Sequence, residues 1–187
     1  LHALVRRQRQ MCIRDRNISN EKATIPSILV VGAVHSHLVK QGLRGYCSLN
    51  VECSDALDTH SFAVLIGVGA TTINPYLAID SIYQRFEKKL FGKSDFESCV
   101  VKFKKSIDAG LLKIMSKMGI SVISSYRGGC NFEAVGLSRA IVSDYFPGMS
   151  SRISGIGVIG IEKKIKELHT KFNAKNVFTL PIGGLYR

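Results

Sequence analysis

Apolar residues recur every three or four positions along most of this chain, which is the spacing that places them on one side of an α-helix. In residues 23–41 this spacing links Ile28, Val31, Val34 and Leu38. Short runs interrupt the helical pattern, and residues 46–52 alternate apolar and polar positions as a half-buried strand does. The pattern therefore predicts long helices that are separated by single strands.

The same spacing predicts the other elements of the chain. Helices are expected over residues 58–66, 76–90, 96–118, 130–145 (one helix or two) and 161–172. Short buried or β-rich segments are expected at residues 71–73 and 120–124, and a glycine-punctuated turn at residues 151–160. Strands that occur singly between helices predict an α/β fold, a helix-rich layered domain with a few short, mostly parallel strands that is incomplete as a standalone unit. The strands are too few for a complete (β/α)₈ barrel.

Composition narrows the class of protein. The 187 residues are 45% hydrophobic and 21% charged, which is enough apolar material to form a core and excludes a mainly disordered chain. The most apolar stretch, residues 25–39, is shorter than a bilayer requires, so no membrane partner is expected. Five cysteines without a CxxC pair indicate a reducing compartment, and we expect the cytoplasm, or a plastid in a photosynthetic eukaryote.

The net charge of +12 raises the question of nucleic-acid binding. Residues 1–16 alone carry +4, and the rest of the basic residues form separate groups around Lys88, Lys104 and Lys164. No zinc finger, helix-turn-helix signature or aromatic RNA-binding motif accompanies these groups. We therefore expect solvated helix faces, with a nucleic-acid-binding module as an alternative.

One motif has the spelling of a dinucleotide-binding loop. Residues 155–160 read GIGVIG and precede a predicted helix, as GxGxxG does in that loop. The loop also requires a strand before its first glycine and an acidic residue about twenty positions later. Residues 149–154 make a poor strand, and residues 173–175 contain no acid. A flexible turn is favoured, and a standalone nucleotide-binding enzyme that uses this loop stays an alternative.

The histidines and cysteines of the chain are not spaced as the ligands of one metal ion usually are. His35 and His37 are two positions apart, so on a helix their side chains point in opposite directions, and His60 has no carboxylate partner at helical spacing. Cys47 and Cys53 would need further ligands to hold a cluster. We predict no metal site, and we interpret these cysteines as small buried hydrophobic residues.

Candidate catalytic groups are equally isolated. The chain has neither a GxSxG elbow nor a P-loop, and Asp108, Glu133 and Asp144 occur singly in predicted helical segments. Arg127 precedes two glycines, so its guanidinium and the free amides of the loop can hold an anion, or the segment can simply be a turn. From the residues alone, the chain is a basic α/β domain without an identifiable catalytic apparatus.

Several sequence blocks, taken in order, resemble the large subunit of glutamate synthase. Residues 25–38 (IPSILVVGAVHSHL) resemble its IPSLLAVGAVHHHL segment. The other blocks are HSFAVLIGVGA at 60–70, INPYLA at 73–78, GLLKIMSKMGIS at 110–121, SYRG at 125–128, FEAVGL at 132–137, and SRI with GIG at 151–157. The resemblance covers residues 15–187 approximately; Ser36, Ser61 and residues 129–131 depart from the family pattern.

The resemblance implies a fragment of a larger enzyme. It divides the chain into a leader outside the family (1–14), an α/β part of the central domain (15–92), a helical remainder (93–172) and a linker towards a synthase barrel (173–187). The family enzyme carries FMN and a 3Fe–4S cluster in that barrel, and a cysteine nucleophile in a glutaminase domain. No position of this chain corresponds to those residues, so we predict no catalytic, cofactor-binding or metal-binding residue.

The resemblance also implies a reaction and partners. The parent enzyme forms L-glutamate from L-glutamine and 2-oxoglutarate, with electrons from ferredoxin or from NADPH. The expected partners are the glutaminase and barrel domains of the same polypeptide, and a small NADPH-oxidising subunit or ferredoxin, without nucleic acid. The segment is expected to act as an interdomain scaffold that is inactive in isolation.

Overall fold

The computed structural model describes residues 9–129 and 131–173, in which strands and helices alternate along most of the chain. The strands are β1 (Arg9–Arg14), β2 (Cys47–Glu52), β3 (Thr72–Asn74), β4 (Glu133–Leu137) and β5 (Ser150–Ile156). The helices are α1 (Ser27–Lys40), α2 (Thr59–Gly67), α3 (Tyr76–Glu87), α4 (Phe96–Lys117), α5 (Ile123–Tyr126), α6 (Arg139–Tyr145) and α7 (Val158–Asn173).

The first half of the chain forms a three-stranded parallel sheet in the order β1-β2-β3. Helix α1 connects β1 to β2, and α2 connects β2 to β3, so each parallel pair is joined by a helical crossover. This arrangement confirms the predicted α/β class. It also confirms helices close to the predicted bounds in α1, α2, α3, α4 and α7.

The last six residues of the leader that the sequence analysis separates at residues 1–14 form strand β1. Residues Arg9–Arg14 run parallel to β2 in the register Arg9–Cys47 to Arg14–Glu52. Ile13 packs against the central core, and Glu52 forms ion pairs with Arg14 (3.2 Å) and Arg16. Backbone pairing along the open edge of β2 therefore includes residues 9–14 in the sheet. Residues 1–8 lie outside the described residues, and the predicted domain boundaries stay predictions.

The second half corrects three local predictions. Strands β4 and β5 pair in parallel with shifts in register, where the sequence analysis expects a helix at residues 130–145 and a turn at 151–160. The β-rich segment expected at residues 120–124 does not form a strand, and its last two residues begin the short helix α5. Strands this short depend on pairing with a distant segment, which local periodicity does not reveal. Residues 174–187, including most of the predicted linker, lie outside the described residues.

One apolar core joins the two halves of the fold. Val31 in α1 and Val51 in β2 are almost completely buried beside Leu65 in α2 and Ile141 in α6. Side-chain caps fix where the helices begin: Asp58 accepts a hydrogen bond from the Ser61 amide, and the same motif recurs before α4 and α6. The packing holds the carboxyl end of α1 close to the loop that follows α5.

Candidate functional site

The loop that follows α5 is fixed by the residue before it. The side chain of Tyr126 is 1% exposed, its hydroxyl donates to the carbonyl oxygen of Ala63 at 3.2 Å, and its ring meets Phe132 edge to face. The next residue, Arg127, is half-buried, and its Nε is buried without a hydrogen-bond partner among the described residues. Gly128 follows with φ +69°, a left-handed conformation that glycine adopts readily. A rigid anchor thus holds an arginine and a glycine at this point.

His35 in α1 lies between two glycines. A Cβ atom on Gly69, which has φ +124°, would lie 2.3 Å from Nδ1 of His35, and a Cβ atom on Gly128 would lie 3.2 Å from Nε2. Glycine at both positions leaves the space that the imidazole occupies. The ring therefore connects α1 to the ends of α2 and α5.

Arg44 contributes a second guanidinium, and the sequence analysis did not identify it as a site residue. Its Nε donates to Nδ1 of His35 at 3.0 Å, and its terminal nitrogens donate to the carbonyl oxygens of Cys47 (2.5 Å) and Gly69 (2.7 Å). Arginine can only donate, so Nδ1 accepts and the neutral ring carries its proton on Nε2. No local pattern around residue 44 signals this role, because its partners are distributed over 34 positions of sequence.

We call His35, Arg44 and Arg127 the guanidinium cluster, because the charge of Arg44 acts on His35 and the charge of Arg127 acts on Arg44. Burial, and secondarily the charge of Arg44, lower the pKa of His35. Burial, and secondarily the charge of Arg127, also lower the pKa of Arg44, with a smaller opposing influence from Cys47. Among residues 9–129 and 131–173, no carboxylate lies within 4.0 Å of either guanidinium. Arg44, whose pKa the charge of Arg127 lowers, thus has no acidic partner among the described residues.

A cavity of about 460 Å³ opens beside this cluster. His35, Lys40 and Gly128 contribute polar groups to its wall, and Phe146 and Met149 contribute apolar ones. The cavity lies between α1, the carboxyl end of α2 and the segment that follows α6. It is of a size that small-molecule sites commonly have.

The GIGVIG segment has a different structure from the turn that the sequence predicts. Gly155 lies within β5, Gly157 is the single residue between β5 and α7, and Gly160 lies in the first turn of α7. The expectation that residues 149–154 make a poor strand is therefore wrong, since β5 begins at Ser150. The strand occurs because its backbone pairs with β4.

The weak metal candidates do not converge. His37 and His60 are exposed, whereas His35 is half-buried in the guanidinium cluster. Cys47 and Cys53 are buried in two different apolar clusters, as the prediction of small hydrophobic residues requires. In the part of the chain that the structure describes, no three His, Cys, Asp or Glu side chains are grouped as metal ligands. Cys130 lies outside the described residues.

The single acids and the basic groups are on the surface. Asp108, Glu133 and Asp144 are exposed on three different elements, and Glu133 faces Arg152 at 3.6 Å. Lys88, Lys104 and Lys164 are exposed at the end of α3, on α4 and on α7 respectively. The basic groups therefore belong to separate helices.

An apolar groove runs between α1, α6 and α7. It has a volume of about 540 Å³, and its lining includes Leu29, Ala33, Ile141, Ile161 and Ile165. None of the helices within residues 9–129 and 131–173 combines the length and apolar character that crossing a membrane requires. The residues that line the groove are mostly aliphatic.

Comparison with known proteins identifies the family to which the chain belongs. A model of the glutamate synthase central domain matches residues 2–138. The chain is 57% identical over 175 residues to the glutamate synthase [NADPH] large chain of Azospirillum brasilense, covering 94% of this chain and 12% of that protein. It is 42% identical to the corresponding large chain of Bacillus subtilis and 41% identical to the chloroplastic ferredoxin-dependent glutamate synthase of Spinacia oleracea. Those alignments cover 85% and 81% of this chain, and 10% of each relative.

These relatives do not support a standalone nucleotide-binding enzyme or a nucleic-acid-binding module. The chain spans about a tenth of the length of the relatives it matches, so further domains of the same polypeptide are implied. The family match extends over most of the α/β fold, from β1 to β4. The chain belongs to the glutamate synthase central domain family.

Proposed function

We propose that this chain is a segment of a glutamate synthase that forms L-glutamate from L-glutamine and 2-oxoglutarate, and that it acts there as an interdomain scaffold. Family membership supports the parent reaction. In such an enzyme, ammonia released at one centre is used at another, and the relative position of the centres determines whether it reaches the second. The proposed contribution of this segment is geometry and exclusion of water rather than bond making.

The apolar groove between α1, α6 and α7 carries the proposal. Its lining is mostly aliphatic, and Ile159 on the neighbouring surface of α7 is 82% exposed. An apolar surface of this kind is stabilised when another surface removes it from water. The chain is about a tenth of the length of its relatives, so the remaining polypeptide is the partner we propose for the groove.

The β4–β5 pair offers a second apolar surface. Val135 and Ile153 are register partners in this sheet and are 65% and 61% exposed. Directly paired β-branched side chains on one sheet face stabilise a sheet when a further layer covers them. This exposed face supports packing against a domain that the chain does not contain.

The cofactors of the parent enzyme are proposed to lie in other parts of the polypeptide. FMN and a 3Fe–4S cluster would supply its electron-transfer chemistry. The described cysteines do not fit a cluster, because Cys47 and Cys53 are buried in separate apolar surroundings and Cys12 is exposed on β1. No step of the reaction is therefore assigned to residues of this chain.

Only the names of the relatives bear on the electron donor and the compartment of the parent enzyme. Their names include NADPH, NADH and ferredoxin-dependent forms, so we propose one of these donors for the parent enzyme. The relative from Spinacia oleracea is chloroplastic by name. Cytoplasm or plastid is our proposal for the compartment.

The decisive experiment compares two glutamine substitutions on α7 within a full-length glutamate synthase that carries this segment. Ile165→Gln places an amide in the groove, whereas Lys164→Gln changes an exposed neighbour. We expect Ile165→Gln to lower glutamine-dependent glutamate formation at least about tenfold while ammonia-dependent formation is preserved, because misplaced domains lose the transfer between centres. Lys164→Gln should leave the ratio of the two activities unchanged.

Two results would contradict the scaffold proposal. One is an equal effect of both substitutions on the ratio of the two activities. The other is turnover by the 187-residue chain alone when it is given glutamine, 2-oxoglutarate and a reductant.

A further inference from the structure

Helix α4 exposes two apolar side chains that the described fold does not cover. Val101 is 47% exposed and Leu112 is 65% exposed, although a surface helix of a globular protein typically presents polar residues to water. The helix packs against α2 and α3, and its buried residues are Cys99, Ile107 and Met115. Val101 and Leu112 therefore lie on a side of α4 that the core does not use.

Two oppositely charged residues lie between them on the same side of the helix. Lys105, Asp108 and Leu112 follow Val101 at successive intervals of four, three and four residues, which is the spacing of the a and d positions in a coiled coil. We call these four residues the α4 stripe. Lys105 and Asp108 are exposed, and neither forms an ion pair within 4.0 Å among residues 9–129 and 131–173. Both charges can therefore pair with a partner that lies along the stripe.

The α4 stripe is complementary to itself when its direction is reversed. A two-fold axis halfway between Lys105 and Asp108 places Lys105 opposite Asp108 of a second copy. The same axis places Val101 opposite Leu112 of the second copy, and the symmetry forms each contact twice, as in isologous dimers. A parallel pair in register would instead oppose lysine to lysine and aspartate to aspartate, which is unfavourable. The stripe thus specifies both the partner and its direction.

We propose that the α4 stripe binds the α4 stripe of a second copy of the chain as an antiparallel helix pair. Helix α4 has 22 residues and a side-chain cap at Asp95, so pairing requires little ordering of the backbone. Four side chains from each copy form a smaller contact than permanent dimers have, so the association is weak and depends on concentration. This surface goes beyond the scaffold role. It also lies on a different helix from the apolar groove, so either proposal can fail without the other.

Sedimentation velocity of the 187-residue chain tests the association. We expect the dimer fraction to rise between about 10 and 500 µM chain, as it does for a weak interface. Lys105→Asp and Asp108→Lys each oppose like charges twice in the dimer, and each should weaken dimerisation at least about tenfold. The double variant exchanges the two charges and should regain most of the affinity. Lys113→Asp makes the same change of charge as Lys105→Asp at an exposed position of α4 outside the stripe, and it should alter the dissociation constant less than about twofold.

Cross-linking tests the direction of the pair. A chain with Val101→Cys is mixed with a chain with Leu112→Cys, both carrying Cys12→Ser to remove the exposed native thiol, and a short bismaleimide is added. Peptide mass spectrometry should identify a link between positions 101 and 112. Two copies of position 101 would lie about 16 Å apart along antiparallel helices and should not be linked. The substitutions at 101 and 112 in a full-length glutamate synthase that carries this segment should give the same link.

Several results would overturn the proposal. One is a chain that stays monomeric at every concentration, and another is equal dimerisation of the wild type and Lys105→Asp. A folded double variant that stays monomeric, or links between two copies of position 101, would also contradict it. So would a link that forms in the short chain but not in the full-length enzyme, because another part of the polypeptide then covers α4. Circular dichroism identifies any variant that fails to fold, and the concentration series of the wild type does not depend on the variants.

Discussion

The backbone of Gly136 in β4 passes so close to Gly155 in β5 that a Cβ atom on Gly155 would lie 2.2 Å from the Gly136 carbonyl oxygen. Gly157, two residues later, has its nearest such neighbour, Oγ of Ser138, at 3.9 Å. The first glycine of the GIGVIG segment thus allows two parallel strands to approach each other. The close approach of the two strands therefore explains the glycine at position 155 without a bound nucleotide.

Gly155→Ala should therefore destabilise the chain, and Gly157→Ala should not. We expect a loss of about 2–3 kcal/mol in the free energy of unfolding for Gly155→Ala, because backbone atoms of β4 must move to admit the methyl group. For Gly157→Ala we expect a change within about 0.5 kcal/mol, since a methyl group fits in ordinary contact. Urea unfolding followed by circular dichroism measures both. Equal effects would show that the close approach of the two strands is unimportant.

The helices of the first half could be predicted from sequence because their signals are local. Helix α4 has Asp95 as a cap and Gly119 at its end, and its apolar spacing continues for 22 residues between them. Strand β4 has no such signal, since residues 133–137 read EAVGL and contain one glycine with φ +78°. Its state is decided by pairing with β5, more than ten residues away.

The candidate site was only partly accessible from sequence for the same reason. Arg127 beside glycines is a local pattern, and the sequence analysis identified it as an arginine able to hold an anion. The contact between Arg44 and His35, and the closeness of the His35 ring to Gly128, depend on how α1, α2 and α5 pack. The spacing of residues along the chain does not reveal that packing.

The space beside Gly69 leads to a second prediction. Gly69→Ala should destabilise the chain by about 3 kcal/mol or more, because its φ of +124° is unfavourable for alanine and the new methyl group would overlap the ring of His35. Gly42 is the matched control, with φ +67° and open space around it, so Gly42→Ala should cost only about 1 kcal/mol. Urea unfolding of both variants gives the comparison. A Gly69→Ala variant as stable as Gly42→Ala would mean that the ring moves aside at little cost.

The buried thiol of Cys53 provides a third prediction. Burial, with smaller contributions from the neighbouring Asp55, raises the pKa of Cys53 to about 12 from the usual 9.0. Roughly 1,000-fold less thiolate is then present at neutral pH, and the thiolate is the reactive form. Iodoacetamide should alkylate the exposed Cys12 in the folded chain and leave Cys53 intact, and denaturant should equalise the two rates. Peptide mass spectrometry measures both rates, and equal alkylation in the folded chain would contradict the burial of Cys53.

The pH dependence of stability tests the surroundings of His35. Its pKa in the folded chain lies below the ordinary 6.5, because burial and then Arg44 disfavour the charged ring. The unfolded chain therefore binds a proton that the folded chain resists. The stability associated with the neutral ring is fully present above about pH 6.5 and is lost as the pH falls through that value towards the folded pKa.

His35→Asn removes this titration while its side-chain oxygen can still accept from Arg44. We expect the free energy of unfolding of this variant to fall less steeply between about pH 7.5 and pH 5 than that of His37→Asn, in which an exposed ring on the same helix is replaced. Urea unfolding at a series of pH values provides the two slopes, to which the acidic residues contribute equally. Parallel slopes would mean that His35 is solvated well enough to accept a proton freely. In that case burial and the charge of Arg44 would not disfavour the protonated ring.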